Sequence, residues 1–282
     1  ALNGLVGFRP TTSRYPVTGM TLISNTRDTA GPITRTVAEA ALLDRVLAAT
    51  EDEAAVAELP GLRLGVPRAY FYDNLDPEVA AVMSGALASL ERAGVTLVYA
   101  ELGNIAELNE KVGFPIVLYE TSRLLPRYLE QNLPGTTPAQ FVAGIASPDV
   151  KQIVGDALAG AIAEPAYREA LEVHRPRLQQ AYADYFRQNR VEAVIFPTTP
   201  LPARPLREEM SEVQLGGENV PTFPTYIRNT DPGSNAGIPG ISVPAGTSSD
   251  GLPIGIELDG PAGSDRRLLA IAAAVEAALA AQ

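Results

Sequence analysis

The sequence predicts an α/β fold in which helices flank a central sheet, and two observations carry this prediction. Residues 62–67 alternate like a short strand, residues 77–94 have the apolar spacing of a helix, and residues 95–99 follow as another strand. A strand, a helix and a strand within about forty residues indicate a crossover connection in one sheet. Residues 193–196 form a continuous apolar run ended by Pro197, which is typical of a strand buried on both faces.

Helix signals mark the first part of the chain. Residues 34–49 carry apolar side chains at helical spacing and predict a helix buried on one side, with Thr34 or Thr36 as its cap. Asp76 precedes the next helix, which has a proline in its first turn, and Gly94 ends it.

The middle of the chain differs because it carries few strand signals. Helices are predicted there over residues 107–118, 119–132, 138–145, 149–163 and 165–189. We therefore expect a helical region at residues 105–190 between two parts of a core, residues 1–104 and residues 191–282.

The closing residues return to the sheet. Residues 241–244 and residues 254–258 predict two strands joined by a turn at residues 249–251. An amphipathic helix is predicted over residues 264–281. Residues 200–220, which contain prolines and a Gly-Gly pair, predict an exposed loop.

Composition excludes several classes of partner and site. The formal charge of −11 argues against nucleic-acid and anionic-membrane partners, because both select for clustered lysine and arginine. The chain has no cysteine and therefore no thiolate nucleophile, and His174 alone cannot build a histidine-rich metal site. There is no signal-peptide pattern and no apolar run of about 18 residues, so we expect a cytoplasmic protein that does not enter a membrane.

The residue types alone identify no catalytic centre. His174 is the only base available for a Ser-His-Asp triad, and it lies in a charged helical stretch without a nucleophile motif, so we expect a role on a helix surface. Ser234 lies in a weak match to the Gly-x-Ser-x-Gly pattern. Lys111 and Lys151, the two lysines, lie outside any glycine-rich phosphate loop.

Several segments resemble those of one known family, the amidase signature enzymes. They are residues 1–12, 28–37, 196–200, 237–246 and 250–258, in the order and spacing of that family. Residues 226–235 followed by residues 259–269 are similar to its arylacetamide-cleaving branch, which includes mandelamide and indoleacetamide hydrolases.

The resemblance implies the amidase signature fold, an α/β fold with a central mixed sheet flanked by helices. It also implies hydrolysis of small aryl-bearing carboxamides to carboxylate and ammonia by acyl transfer to serine, without a metal or organic cofactor. The family uses a serine nucleophile, a second serine and a lysine whose pKa is lowered by desolvation. These groups precede the matched part, so we expect the catalytic loop to be missing before Ala1, no catalytic residue in this chain, and no activity of the chain alone.

Alternatives to a catalytic chain stay open. The chain could be a truncated, non-catalytic domain that binds a ligand or partner through the same pocket, or the N-terminal part could be a separate polypeptide. Missing helices and strands would leave apolar surface exposed, so we expect a homo-oligomer or pairing with the N-terminal part.

Four residues are candidates for substrate binding. Thr198 and Thr199 follow a buried strand at its C-terminal end, where ligands collect in open α/β sheets. Asp231 and Asn235 lie in the segment that resembles the arylacetamide branch, and we expect them to contact substrate or to hold their loop.

Two further residues are expected near the site as scaffold. Asp28 resembles a family residue that packs beside the nucleophile loop, although a local turn is the simpler interpretation. Arg35 is expected to bond nearby carbonyls or to pair with Asp28. Phe114, Tyr119 and Phe141 would suit an aryl group, but apolar residues at helical spacing are more often core. The helical region at 105–190 is expected to cover the site and shape substrate choice.

Overall fold

A seven-stranded mixed sheet organises the protein in the computed structural model, which describes residues 1–51, 56–206 and 211–280. The strands are β1 (Val6–Arg9), β2 (Ile33–Thr34), β3 (Arg63–Gly65), β4 (Thr96–Val98), β5 (Ala193–Pro197), β6 (Glu212–Leu215), β7 (Glu218–Pro221), β8 (Gly240–Thr247) and β9 (Pro253–Asp259). The large sheet has the order β2-β1-β8-β9-β5-β3-β4, and β6 pairs with β7 in a separate hairpin.

Strand directions follow from the connections. β3 runs parallel to β4 and to β5, because a helix connects β3 to β4. The pairs β2–β1, β1–β8, β8–β9 and β9–β5 are antiparallel, and a short turn joins β8 to β9. The predicted crossover and the predicted hairpin are both confirmed.

Helices cover both faces of this sheet. They are α1 (Val37–Leu47), α2 (Pro77–Arg92), α3 (Ile105–Asn132), α4 (Pro138–Ala143), α5 (Pro148–Leu158), α6 (Glu164–Glu169), α7 (Arg175–Asn189), α8 (Thr222–Ile227), α9 (Asp231–Ala236) and α10 (Asp265–Ala280), with a π-helical turn at Ala170–His174. One core lies between the sheet and α1, α2 and α10, and the other lies between the sheet and α3, α7 and α9. The expected α/β fold with a central mixed sheet flanked by helices is confirmed.

The first helix is buried on one side. Thr36 caps α1 by accepting a hydrogen bond from the Glu39 N–H, so of the two candidate caps the structure selects Thr36. Val37 and Ala40 are buried against the core. Val46, however, is 69% exposed, because α1 packs on β1, β2 and α10 through its other side. The helix is therefore buried on one side, as predicted, but Val46 in its last turns lies outside that buried side.

A single long helix replaces two of the predicted ones. α3 runs without interruption over residues 105–132 although it contains Pro115 and Pro126. Each proline removes the N–H that would bond the carbonyl four residues earlier, and its ring crowds that carbonyl. Val112 and Ile116, which flank Pro115, are fully buried, and this packing keeps the helix continuous. The predicted boundary near residue 119 is wrong.

The predicted exposed loop at residues 200–220 contains ordered structure. β6 and β7 pair with each other, and Leu201, Val213 and Leu215 form a small buried cluster. Residues 207–210 lie outside the described residues, as does the last residue of the helix predicted over 264–281. No helix in the described part of the chain is long and apolar enough to cross a membrane.

Residues 10–32, here called the β1–β2 loop, cross the surface and are anchored by buried carboxylates. Asp265 accepts hydrogen bonds from the N–H and the hydroxyl of Thr11, at 2.7 and 2.6 Å. Asp44 of α1 accepts two from Arg14, at 2.7 Å each, and one from the Tyr15 hydroxyl at 2.6 Å. Both anchors fix the first third of the loop.

Glu120 of α3 anchors the far end of the same loop. Its carboxylate accepts from the Ser24 hydroxyl, from the Thr26 N–H at 3.2 Å, and from the Tyr167 hydroxyl at 2.9 Å. Glu120 is 3% exposed, and a buried carboxylate requires such donors. The loop is therefore held at both ends and forms a fixed wall.

Replacing Asp44 with alanine should destabilise the protein, because it leaves Arg14 and the Tyr15 hydroxyl without their acceptor. We expect a loss of about 2–3 kcal/mol in the free energy of unfolding, less than for a fully buried pair since Arg14 keeps access to water. Urea denaturation measures the change. Asp156→Ala, at an exposed carboxylate on α5, is the matched control and should stay within about 0.5 kcal/mol of the parent. Equal losses in the two variants would contradict the anchoring role.

Candidate substrate cleft

One face of the sheet carries two rows of polar and small residues. The strand register aligns Arg9, Gly240 and Asp259 across β1, β8 and β9. The next row in the same direction contains Gly7, Ser242 and Glu257, and these point to the face covered by α3, α7 and α9. The opposite face is apolar throughout this region. Charged groups of distant sequence position are therefore brought together under one set of helices.

Arg9 connects the sheet to the segment that carries α9. Its guanidinium donates to Asp259 Oδ1 at 2.7 Å, to the Ile238 carbonyl at 3.2 Å and to the Thr230 carbonyl at 3.3 Å. A Cβ on Gly240 would collide with both Asp259 and Arg9. Glycine at this position therefore leaves the space in which the ion pair forms.

Two buried carboxyl groups share this arginine. Arg9 contacts Asp259 directly, whereas Glu257 Oε1 lies 3.9 Å from the guanidinium. Burial, and next the charge of Asp259, raise the pKa of Glu257 well above its usual value of 4.5. Burial also raises the pKa of Asp259, and Arg9 partly offsets that effect. Glu257 is consequently the group of the pair that holds a proton more readily.

A cleft of about 590 Å³ opens above this polar face. Its described lining is Arg9, Met20, Thr21, Ile23, Arg27, Asp28, Thr29, Gly113, Phe114, Val117, Phe223, Ile227, Thr230, Asp231 and Ser234. The β1–β2 loop forms one wall, α3 the second, and α8 with the start of α9 the third. Apolar side chains of α3 and α8 lie opposite polar groups of the β1–β2 loop, β1 and α9, and this suits a ligand with an apolar body and a polar head.

Asp231 is held in place at the cleft by three donors. The Arg27 guanidinium lies 3.3 Å from Asp231 Oδ1, and the amide groups of Asn109 and Asn235 donate to Oδ2 at 2.8 and 3.0 Å. Arg27 also donates to the Gly113 carbonyl at 3.0 Å. This network joins the β1–β2 loop, α3 and α9, so the three walls of the cleft share one set of polar contacts.

The structure brings some of the predicted substrate residues together and separates others. Asp231 lines the cleft, and the fully buried Asn235 supports it without lining it. Thr198 is buried at the end of β5, where its hydroxyl lies 2.7 Å from that of Ser242. The Thr199 hydroxyl donates to the Leu201 carbonyl at 2.8 Å. Neither threonine is part of the described cleft lining.

The two predicted scaffold residues have different surroundings. Asp28 lines the cleft, and its carboxylate accepts from the N–H groups of Ile23 and Ser24 at 2.7 and 3.0 Å, which closes a local turn. Arg35 has an 84% exposed side chain and lies 3.7 Å from Glu39. The ion pair that Arg35 forms is thus with the next helix rather than with Asp28.

Only one of the three aromatic candidates is described as lining the cleft. Phe114 of α3 is 41% exposed and faces the cleft. Tyr119 stacks on Tyr167, with 4.2 Å between ring centroids. Phe141 lies in α4 and is absent from the described lining.

The sequence patterns missed the charged residues of the site. These residues lie in or beside segments whose patterns indicate strands, turns or family resemblance, and no pattern marks them as functional. They are Arg9, Arg27, Glu257 and Asp259. The alternation of β9 would have placed Glu257 and Asp259 on one face, and their burial among apolar neighbours required a cation. Nothing in the sequence indicated that this cation is Arg9.

The described cleft lining contains neither histidine nor lysine. His174 lies in the π-helical turn with a side chain that is 15% exposed, 3.5 Å from Glu169, and it is not among the cleft residues. Within the described part of the chain, no group of three or more His, Asp or Glu side chains could hold a metal ion.

Comparison with known proteins gives consistent matches. The family model described as Amidase matches residues 1–269. Indoleacetamide hydrolase of Rhizobium radiobacter is 43% identical over 280 residues, which are 99% of this chain and 60% of that protein. Mandelamide hydrolase of Pseudomonas putida is 41% identical over 293 aligned residues, which cover 99% of this chain and 55% of that protein. The chain thus spans about 60% or less of the length of these relatives.

A solved structure of an amidase has the same fold. The crystal structure of an amidase superposes with a TM-score of 0.81 at 28% sequence identity, over 98% of this chain and 58% of that chain. The described sheet and helices therefore follow the fold of that enzyme across nearly their whole extent.

The stability of the protein should fall as the pH rises above about 4.5. Because the pKa of Glu257 is raised by folding, the folded chain binds more protons than the unfolded chain in this range, and the free energy of unfolding decreases with pH. Glu257→Gln cannot ionise and should show a flatter decline. Urea denaturation at about pH 5 and about pH 8 measures the two slopes.

Glu130→Gln, at an exposed carboxylate on α3, is the matched control and should keep the parent slope. A decline as steep in Glu257→Gln as in the parent chain would contradict the assignment of the proton to Glu257.

Proposed function

The chain belongs to the amidase family, and from that premise we propose that it provides the substrate cleft of an amidohydrolase acting on small aryl-bearing carboxamides. The proposed reaction converts the amide and water to carboxylate and ammonia, by acyl transfer to a serine and then to water. Indoleacetamide and mandelamide, the compounds in the names of two relatives, are both carboxamides that carry an aromatic ring.

The form of the cleft is the observation that supports this substrate class. Phe114, Val117 and Ile227 offer an apolar surface of the size of an aromatic ring. Asp231 and Arg27 place a fixed acceptor and donors at the polar walls of the cleft, beside Arg9 at its floor. In the proposed complex the ring lies against the apolar wall and the amide faces these polar groups.

The predicted site residues take different proposed roles. Asp231 contacts the substrate, and Asn235 positions Asp231 through its amide. Thr198 and Thr199 line the end of β5 below the cleft, where the polar Ser242 and Glu257 also lie. The helical region 105–190 shapes substrate choice, because α3 contributes Phe114 and Val117.

We propose that the serine nucleophile, the second serine and the lysine base come from outside these 282 residues. The described cleft lining contains neither lysine nor histidine. Lys111, one of two lysines in the sequence, is on the surface with its Nζ 2.6 Å from Glu107. The same observation favours the alternative of a non-catalytic domain that binds a ligand or partner through this cleft.

Ammonia release from phenylacetamide, mandelamide and indoleacetamide distinguishes these possibilities. We expect no turnover by the 282-residue chain and turnover by a form extended at its N-terminus through a Gly/Ser-rich nucleophile loop of the family. Turnover by the 282-residue chain would show that the nucleophile lies within it. Binding without turnover by both forms would favour the non-catalytic alternative.

Replacing Phe114 with alanine should weaken the binding of indoleacetamide by about threefold to tenfold, because it removes the aromatic wall. Stability should change little since the ring is 41% exposed. Isothermal titration calorimetry on the 282-residue chain measures the dissociation constant. Leu206→Ala, at a side chain that is 92% exposed and remote from the described lining, is the control. An unchanged dissociation constant in Phe114→Ala would show that the aromatic ring of the ligand does not bind against Phe114.

A further inference from the structure

A second cavity of about 340 Å³ lies beside the cleft. The two cavities are adjacent, because both are lined by Gly113, Phe114, Ile227 and Asp231, and we call this shared boundary between α3 and α8 the neck. Beyond the neck the exposed lining is mainly apolar, and polar groups are set into it. We call this part the distal lobe, and its own polar residues are Tyr70, Asn109, Glu110, Thr225 and Arg228.

Arg228 is the unusual group in the distal lobe. Its Nε donates to the neighbouring Asn229 side chain at 3.0 Å, while its buried Nη2 has no hydrogen-bond partner in the described part of the chain. No carboxylate among the described residues lies within ion-pairing distance of it. Arg9 and Arg27, the arginines of the main cleft, each pair with an aspartate. The charge of Asp73 acts on Arg228 from beyond ion-pairing distance. A partly buried guanidinium without a contacting counter-charge is costly, and an anion in the lobe would relieve that cost.

The acidic groups of the distal lobe do not cancel the attraction of Arg228 for an anion. The Asp231 carboxylate is already bonded by Arg27 and by two asparagine amides. Glu110 is exposed on α3, so its side chain can extend into water when an anion binds. Arg228 is held by its buried edge and by the Tyr70 hydroxyl, which donates to the Arg228 carbonyl at 2.8 Å. The fixed charge in the lobe is therefore positive.

We propose that the distal lobe is a second binding subsite that takes a carboxylate at the far end of an aryl-bearing amide. This inference rests on the proposed function, because the ring and the amide would occupy the main cleft. The substrate class becomes monoamides of aryl dicarboxylic acids, with the ring passing the neck beside Phe114 and Ile227. Because Nε is bonded to Asn229 and Nη2 is buried, the carboxylate would accept a charge-assisted hydrogen bond from Arg228 Nη1.

The monoamide of 1,4-phenylenediacetic acid and its methyl ester test the proposal, because they share the ring and the spacing between the two end groups and differ in charge, with one added methyl group in the ester. Isothermal titration calorimetry with the 282-residue chain should show the acid binding about tenfold more tightly than the ester. Arg228→Gln should bring the two affinities together by weakening the acid alone. Arg228→Lys keeps the charge and should retain part of the preference. Arg123→Gln, at an exposed arginine of α3 outside the lobe, should behave like the parent chain.

The outcomes separate this subsite from the proposed function. Binding of the ester with no preference for the acid, or a preference that survives in Arg228→Gln, overturns the subsite and leaves the aryl cleft supported. Failure of the parent chain to bind either compound overturns both. Thermal unfolding of each variant confirms that it is folded before its affinities are compared.

Discussion

The buried ion pair between Arg9 and Asp259 is the interaction on which the cleft depends. The two residues are 250 positions apart in the sequence and meet because β8 lies between their strands with a glycine at the crossing point. The same guanidinium binds the carbonyls before and after α9, so the position of α9 is set from the sheet. Asp231 projects from the start of that helix. The floor of the cleft is thus fixed by one residue of the first strand.

Local signals predicted the elements of the sheet well, because a strand end or a helix cap is determined by neighbouring residues. Asp76 with Pro77 begins α2, and Pro197 ends β5, as the sequence indicates. α3 could not be predicted as one helix, since its prolines are tolerated only through packing with distant residues. The site was predicted in part. Asp231 and Asp28 line the cleft, but the partners of Arg9 and Arg27 depend on strand register and loop path, which no local pattern contains.

The residues that α3 contributes to the two cavities differ in polarity along the helix axis. Successive turns of this helix present Glu110, Gly113, Phe114 and Val117, so the lining changes from charged to apolar over about two turns. Gly113 permits the close approach of α9, because a Cβ there would lie 3.0 Å from the Asn235 amide. Glu120, further along the same helix, holds the β1–β2 loop. One continuous helix therefore sets the spacing between the two lobes and the loop that closes them.

The anchoring of the β1–β2 loop has a consequence for the kinetics of ligand exchange. A loop tied at Thr11, Arg14 and Ser24 to buried carboxylates cannot swing open without breaking several charged hydrogen bonds. Access is then controlled by the side chains at the rim, of which Met20 and Phe223 are the largest. Rotamer changes of partly exposed side chains take picoseconds to nanoseconds, whereas loop opening takes microseconds or longer. Side-chain rotation therefore opens the rim faster than the loop could move, and the rate of ligand release is set by affinity rather than by loop opening.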